Sequence, residues 1–170
     1  NTYIIFTADH GLAVGDHGFM GKQNMYDRSI RVPFIITGKG IHKGVINDEF
    51  IYLQDAMATS LDIAKAIKPD HIDFNSVLSL AKGKQKKSCY KEIYGAYLKN
   101  QRMIRSKEFK MILYPTIGKI RLYNIKNDPD EMVDLAENLA YRNIIKKLFK
   151  QFLKLQKETG DLLDVTKTYS

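Results

Sequence analysis

Two unbroken apolar runs open the chain, and the pattern changes style in its second half. "YIIFT" at residues 3–7 and "VPFIIT" at 32–37 are β-branched and aromatic, the signature of strands buried on both faces in a parallel sheet covered by helices. The second run ends on the turn-forming "GKG". Leu53, Ala56, Met57, Ser60, Leu61, Ala64 and Ile67 then follow a three-then-four spacing, which predicts an amphipathic helix stopped by Pro69. Residues 70–91 are low in apolar content and read as a connection between two parts.

After that, "EIYGAYL" (92–98), "RMIRS" (102–106), "FKMILY" (109–114) and "KIRLYNI" (119–125) are short runs separated by polar turns. They predict an antiparallel meander with Lys110 and Arg121 turned outward from apolar neighbours. "KNDPDE" (126–131) is a turn. Tyr141, Ile144, Ile145, Leu148, Phe149, Phe152 and Leu153 repeat at helical spacing, with Lys146, Lys147, Lys150 and Lys154 on the other face, so this helix should pack on the meander. The tail after Gly160 is expected to fray or to wrap the surface. The class implied is α/β, or α+β: residues 1–80 form part of an α/β domain, 81–91 connect, and 92–170 form a meander with a helix.

Composition changes this picture in two places. The formal charge is +8 from 27 Lys/Arg and 19 Asp/Glu, but residues 1–80 sum to −2 and residues 81–170 to +10. The basic character therefore belongs to the second half, where "KGKQKK" (82–87) and the last helix have the look of solvated lysine faces; no motif supports nucleic-acid binding. No stretch approaches the roughly 20 apolar residues that span a bilayer, and the first residues show neither a charged leader nor a cleavage site, so no membrane association is expected. The single cysteine, Cys89, forms no internal disulfide and leaves the compartment open.

The chemistry gathers between the first two strands. "TADHGLAVGDHGFMGK" (7–22) holds Asp9, His10, Asp16, His17 and Lys22 among glycines at 11, 15, 18 and 21, at the carboxyl end of the first run, the edge where open α/β sheets bind ligands. Asp9 and His10 can face one cation from a rigid support, and calcium or magnesium suits them better than zinc. Lys22 beside a cation makes sense when an oxyanion bridges the two. A Gly-rich connection with a capping aspartate and surface histidines fits the same residues.

"FTADHGLAVGDHGFMGKQNMYDRSIRVPFII" resembles the carboxyl-proximal motif of the formylglycine-dependent (type I) sulfatases in the alkaline-phosphatase-like superfamily. "LQDAMATSLDIAKAI" looks like that family's following helix, and "IRLYNIKNDPDEMVDLAEN" like its carboxyl-terminal signature. The resemblance implies that Asp9 and His10 are calcium ligands and that Lys22 holds the substrate sulfate. His17, in the turn between them, is either on the substrate side or a surface histidine. Asp27 stands where the family usually has Glu and Arg28 where many members have His, and neither is assigned to the catalytic step; Arg31 and Pro33 look like scaffold.

The family's nucleophile, a formylglycine made from Cys or Ser in a Cys-x-Pro-x-Arg type motif, has no counterpart here. Cys89 in "KSCYKEIY" lacks the Pro and Arg. The chain therefore resembles the carboxyl-terminal part of a sulfatase, expected to be inactive alone and to pair with an amino-terminal portion or to self-associate. A sulfated small molecule or glycan is the implied substrate, and a periplasmic, extracellular or lysosome-like location the implied setting. The rival readings are a phosphate or phosphonate monoester hydrolase of the same superfamily, and a non-catalytic glycan-binding or truncated module.

Overall fold

The computed structural model describes residues 2–168. Its elements are helices and two antiparallel sheets, a two-stranded and a four-stranded one. The chain folds as two compact units, Asn1–Asp9 with Val32–Lys91, and His10–Arg31 with Glu92–Ser170. No helix among the described residues is long and apolar enough to cross a membrane.

In the first unit, β1 (Ile4–Thr7) pairs with β2 (Phe34–Thr37), with Phe6 opposite Ile35 and Ile5 opposite Ile36. The pairing is antiparallel, which corrects the parallel, doubly buried expectation. One face holds half-buried Ile5 and Ile36. The other leaves Ile4, Phe6 and Ile35 about 60% exposed (60%, 60% and 59%). An apolar run says that a strand can be covered on both faces; it does not say that both covers lie within the same stretch of chain.

A single-turn helix, α1 (Asp27–Ile30), belongs to the second unit. The expected helix forms as α2 (Asp55–Ala64), shorter than predicted because Lys65 takes a left-handed conformation and closes it. Its buried side also differs: Asp55, Ala58 and Thr59 are buried, whereas Met57 is 49% exposed. The cause is a polar hub that apolar periodicity does not register. The Asp55 carboxylate accepts from the Tyr52 N–H (2.8 Å), the Asn75 N–H (2.9 Å) and the Tyr90 hydroxyl (2.7 Å). Thr59 donates to the Asp55 carbonyl at 2.7 Å and accepts from the Val77 N–H at 2.9 Å. Within the expected connection lies a single-turn helix, α3 (Leu78–Ala81).

The second unit contains the meander: β3 (Ile93–Tyr97), β4 (Gln101–Arg105), β5 (Phe109–Tyr114) and β6 (Lys119–Asn124) in consecutive antiparallel order. Helix α4 (Arg142–Glu158) covers one face, burying Ile145, Leu148, Phe149 and Phe152 against Ile104, Met111, Leu113 and Leu122. Leu153, expected on that inner stripe, lies at its margin and is 40% exposed. Residues 161–168, the described part of the tail, are not frayed. Val165 is buried in the same core, and the Asp161 carboxylate takes Arg102 Nε at 2.6 Å and Nη2 at 3.0 Å. These contacts hold Asp161 well below the usual carboxylate range, chiefly through the Arg102 hydrogen bonds.

The opposite face of the meander is also covered, by Met25 and Tyr26 packed on Met103, Ile112, Tyr123 and Ile125. With both faces dry, Lys110 cannot turn to solvent, and it is fully buried, contrary to expectation. Arg121 is exposed, as expected.

Candidate functional site

The loop that follows Asp9 folds with the meander and is closed on itself by backbone hydrogen bonds. Gly11 N–H donates to the Ser29 carbonyl (2.9 Å), Ala13 N–H to Gly21 (3.0 Å) and Gly15 N–H to Phe19 (2.7 Å). Gly11 is there for space: a Cβ at this position would stand 2.0 Å from the Arg28 carbonyl oxygen. His17 sits at φ 54°, a left-handed conformation that costs a non-glycine residue of order 1 kcal/mol and persists only when its surroundings hold it. The holding contact is Tyr26, whose ring lies parallel to the imidazole at 3.8 Å with an 8° tilt. Tyr26 is buried, and its hydroxyl lies 3.1 Å from that of Tyr123. Burial pushes the Tyr123 phenol up, and its contact with Tyr26 adds to this.

His10 and Lys22, twelve residues apart, meet inside this loop. The His10 Nδ1–H donates to the Gly11 carbonyl at 2.9 Å, which leaves the Nε2 lone pair to accept from Lys22 Nζ at 2.5 Å. A carbonyl that fixes the Nδ1 proton is the usual way a protein presents Nε2 to a cation, and here an ammonium takes that direction. Asp9 is exposed and directly precedes His10 in the chain. Among the described residues, no group of three or more His, Cys, Asp or Glu could hold a metal ion.

A charged clamp that the sequence reading missed secures the far end of the loop. Lys110 Nζ reaches Asp27 Oδ1 at 2.5 Å, Glu131 Oε1 at 2.7 Å and the Met25 carbonyl at 3.0 Å. Arg105 pairs with the other Asp27 oxygen, and the Asp27 N–H donates to Glu131 Oε2 at 2.6 Å. Burial alone would raise the Asp27 carboxyl, but Lys110 and Arg105 outweigh it and hold the group below its usual range. One signal could have exposed the clamp. Lys110 shares its strand face with Ile112 and Tyr114, so a buried counter-ion was required. Arg28 reaches Asp16 at 2.9 Å and Asp130 at 3.3 Å, exposed pairs that are worth little. Cys89 is exposed.

Residues 15–158 match the family described as N-sulphoglucosamine sulphohydrolase, C-terminal. The chain belongs to this family. It is 30% identical over 162 residues to an arylsulfatase of Clostridium perfringens, an alignment covering 91% of this chain and 33% of that protein. It is also 30% identical over 173 residues to an N-acetylglucosamine-6-O-sulfatase of Bacteroides thetaiotaomicron, covering 95% and 31%. A solved structure of a protein in complex with its substrate D-glucosamine-2-N,6-O-disulfate is 28% identical and superimposes with a TM-score of 0.87, over 95% of this chain and 35% of that one. The chain thus spans about a third of the length of the curated relatives it matches. Its α/β class and its likeness to the carboxyl-terminal part of an alkaline-phosphatase-like sulfatase agree with the resemblance carried by the sequence.

Proposed function

We propose that this chain supplies the oxyanion-holding side of a sulfuric ester hydrolase whose substrate is a sulfated glycan. The observation that carries the proposal is the contact of Lys22 Nζ with His10 Nε2, which joins the two ends of one motif. In this role Lys22 binds a sulfate oxygen and neutralises charge that grows on it as the ester bond breaks. Asp9 and His10 would hold calcium, His10 through the Nε2 that Lys22 contacts here, so that Lys22 would move onto the sulfate that the bound cation polarises. Their donor atoms suit a hard cation, but two donors make only part of a site, and further carboxylates must come from another portion of the protein. His17, within this loop and seated on Tyr26, would meet the sugar.

The formylglycine would likewise be supplied from elsewhere, so the chain alone would not turn over. The uncovered face of Ile4, Phe6 and Ile35 suits a remaining sulfatase portion or, failing that, a second copy.

Calcium titration calorimetry with and without sulfate, on the wild type and on Asp9→Ala and Lys22→Ala, tests the reading. Calcium binding lost in Asp9→Ala, and sulfate binding lost in Lys22→Ala, support it. Calcium binding that Asp9→Ala leaves intact refutes the metal assignment, and sulfate binding indifferent to Lys22 refutes the oxyanion assignment.

A further inference from the structure

Helix α4 has an outer face whose charge pattern is unlike that of a helix that merely faces water. Between Arg142 and Glu158 it carries six cations, Arg142, Lys146, Lys147, Lys150, Lys154 and Lys157, and one carboxylate, Glu158. All of these side chains are exposed. Arg142, Lys146, Lys150 and Lys154 follow one another at four-residue spacing, a ridge about 18 Å long at the rise of an α-helix.

A solvated helix face gains stability by alternating Glu with Lys at this spacing, whereas like charges there destabilise by a few tenths of a kcal/mol per pair. The only acidic residue on the ridge sits at its end, where Glu158 meets Lys154 at 3.7 Å. The amino end is charged in the unfavourable sense as well. It has no acidic residue in the first turn, no side-chain cap, and Arg142 where the helix dipole is positive.

At that end the ridge runs into a cavity of about 570 Å³ lined by Lys119, Arg121, Arg142, Asp134, Glu137 and Thr168. Asp134 is already engaged, by Arg121 Nη1 at 3.0 Å and by the N–H groups of Leu122 and Ala136 at 3.0 Å each. Thr168 is 6% exposed, and its hydroxyl, sealed from solvent, has no hydrogen-bond partner among the described residues. With Asp134 paired to Arg121, the cavity keeps Lys119 and Arg142 against one further carboxylate, Glu137, a net positive lining.

We infer that the α4 ridge and the cavity at its amino end form a docking track for an extended sulfated polysaccharide, separate from the Lys22 loop. Neighbouring sulfates would lie along Arg142, Lys146, Lys150 and Lys154, and one anionic group would enter the cavity to accept from Lys119 and Arg142. The choice of a sulfated glycan over other polyanions rests on the sulfatase reading.

The test is fluorescence anisotropy with a labelled heparin dodecasaccharide, its desulfated counterpart and a DNA duplex of similar length. The proteins are the wild type, the triple variant Lys146→Gln/Lys150→Gln/Lys154→Gln, and the control Lys84→Gln/Lys86→Gln/Lys87→Gln, which removes the same charge from exposed positions outside the track. The ridge variant should lose at least about tenfold in heparin affinity, and its slope of log Kd against log salt should fall by about two to three units. The control should change less than about threefold, and the desulfated chain should bind weakly to all three. Equal losses in both variants, or no wild-type binding, would reduce α4 to a solvated lysine face. Duplex DNA bound as tightly as heparin would overturn the glycan as occupant. Because the assay reads binding and not hydrolysis, a failed calcium or sulfate assignment at the Lys22 loop leaves it interpretable.

Discussion

Lys110→Met is the substitution that asks most of the buried clamp. Methionine fills much the same volume, so packing changes little while the ammonium disappears from between Asp27 Oδ1 at 2.5 Å and Glu131 Oε1 at 2.7 Å. Both carboxylates are nearly sealed from water, with side chains 11% and 2% exposed. Asp27 would keep Arg105, and Glu131 would keep the Asp27 N–H. Removing one partner of a buried ion pair typically costs about 3–5 kcal/mol, because the remaining charge loses its partner without regaining water. The retained contacts place the expectation near 3 kcal/mol. The sign of the pH effect is fixed. Asp27 has its carboxyl depressed in the folded state, so its contribution is present above the ordinary carboxylate pKa and is lost as pH falls through the folded value. The gap between wild type and variant should therefore be full at pH 7 and narrow below about pH 4.

Amide exchange at Met111 to Leu113 reads this unit without assuming that the whole chain unfolds in one step. A double-mutant cycle with Glu131→Gln should show a coupling of at least about 1 kcal/mol. A Lys110→Met protein within about 1 kcal/mol of wild type at pH 7, or a gap indifferent to pH, would falsify the account of the clamp.

Asp161→Asn breaks the paired contact with Arg102 and should cost about 1.5–3 kcal/mol in urea unfolding at neutral pH. Asp161 is also depressed, so the loss should shrink at acid pH; a constant loss would refute the ion pair as its cause. Gly11→Ala places a Cβ 2.0 Å from the Arg28 carbonyl oxygen and should cost about 1–3 kcal/mol, with faster amide exchange at Ala13; unchanged exchange there would refute the close approach. Phe152→Ala, in the core under α4, should cost about 3–5 kcal/mol, and a loss under 1 kcal/mol would contradict the packing described. Replacing Ile4, Phe6 and Ile35 with Thr should shift sedimentation toward monomer, and a wild type that is monomeric at every concentration would remove the reason for association.

Apolar periodicity reads the meander and α4 well, because there each strand face and the helix stripe find their cover within the same unit. It fails at β1 and β2, where "YIIF" and "PFII" promise two buried faces and one stays about 60% exposed. It fails again at α2, where Asp55 and Thr59 turn inward to satisfy backbone N–H groups from later segments. Those partners lie 18 and 20 residues away, the Tyr90 hydroxyl on Asp55 35 residues away, and no local pattern encodes them. Lys110 is the sharpest case. Alternation treats it as the polar member of a strand, yet its partners Asp27 and Glu131 come 83 residues before it and 21 after it.

The same long-range contacts bear on how the candidate site is built. Asp9, His10 and Lys22 are legible as a motif within fourteen residues, but what holds the loop in shape is not in the motif. Tyr26 under His17, Asp27 on Lys110 and Arg105, and the Asp27 N–H on Glu131 all tie the loop to the meander. A loop with glycines at 11, 15, 18 and 21 has much conformational freedom to lose. The buried clamp removes that freedom during folding, so less remains to be lost when an oxyanion binds. Under the proposed function, the carboxyl-terminal sheet is thus the support on which Lys22 would be presented. It follows that Lys110→Met should weaken sulfate binding even though residue 110 touches no ligand, and that Lys22→Ala should abolish binding with the fold intact. Equal sulfate affinity in wild type and Lys110→Met, measured where both are fully folded, would separate the clamp from the site.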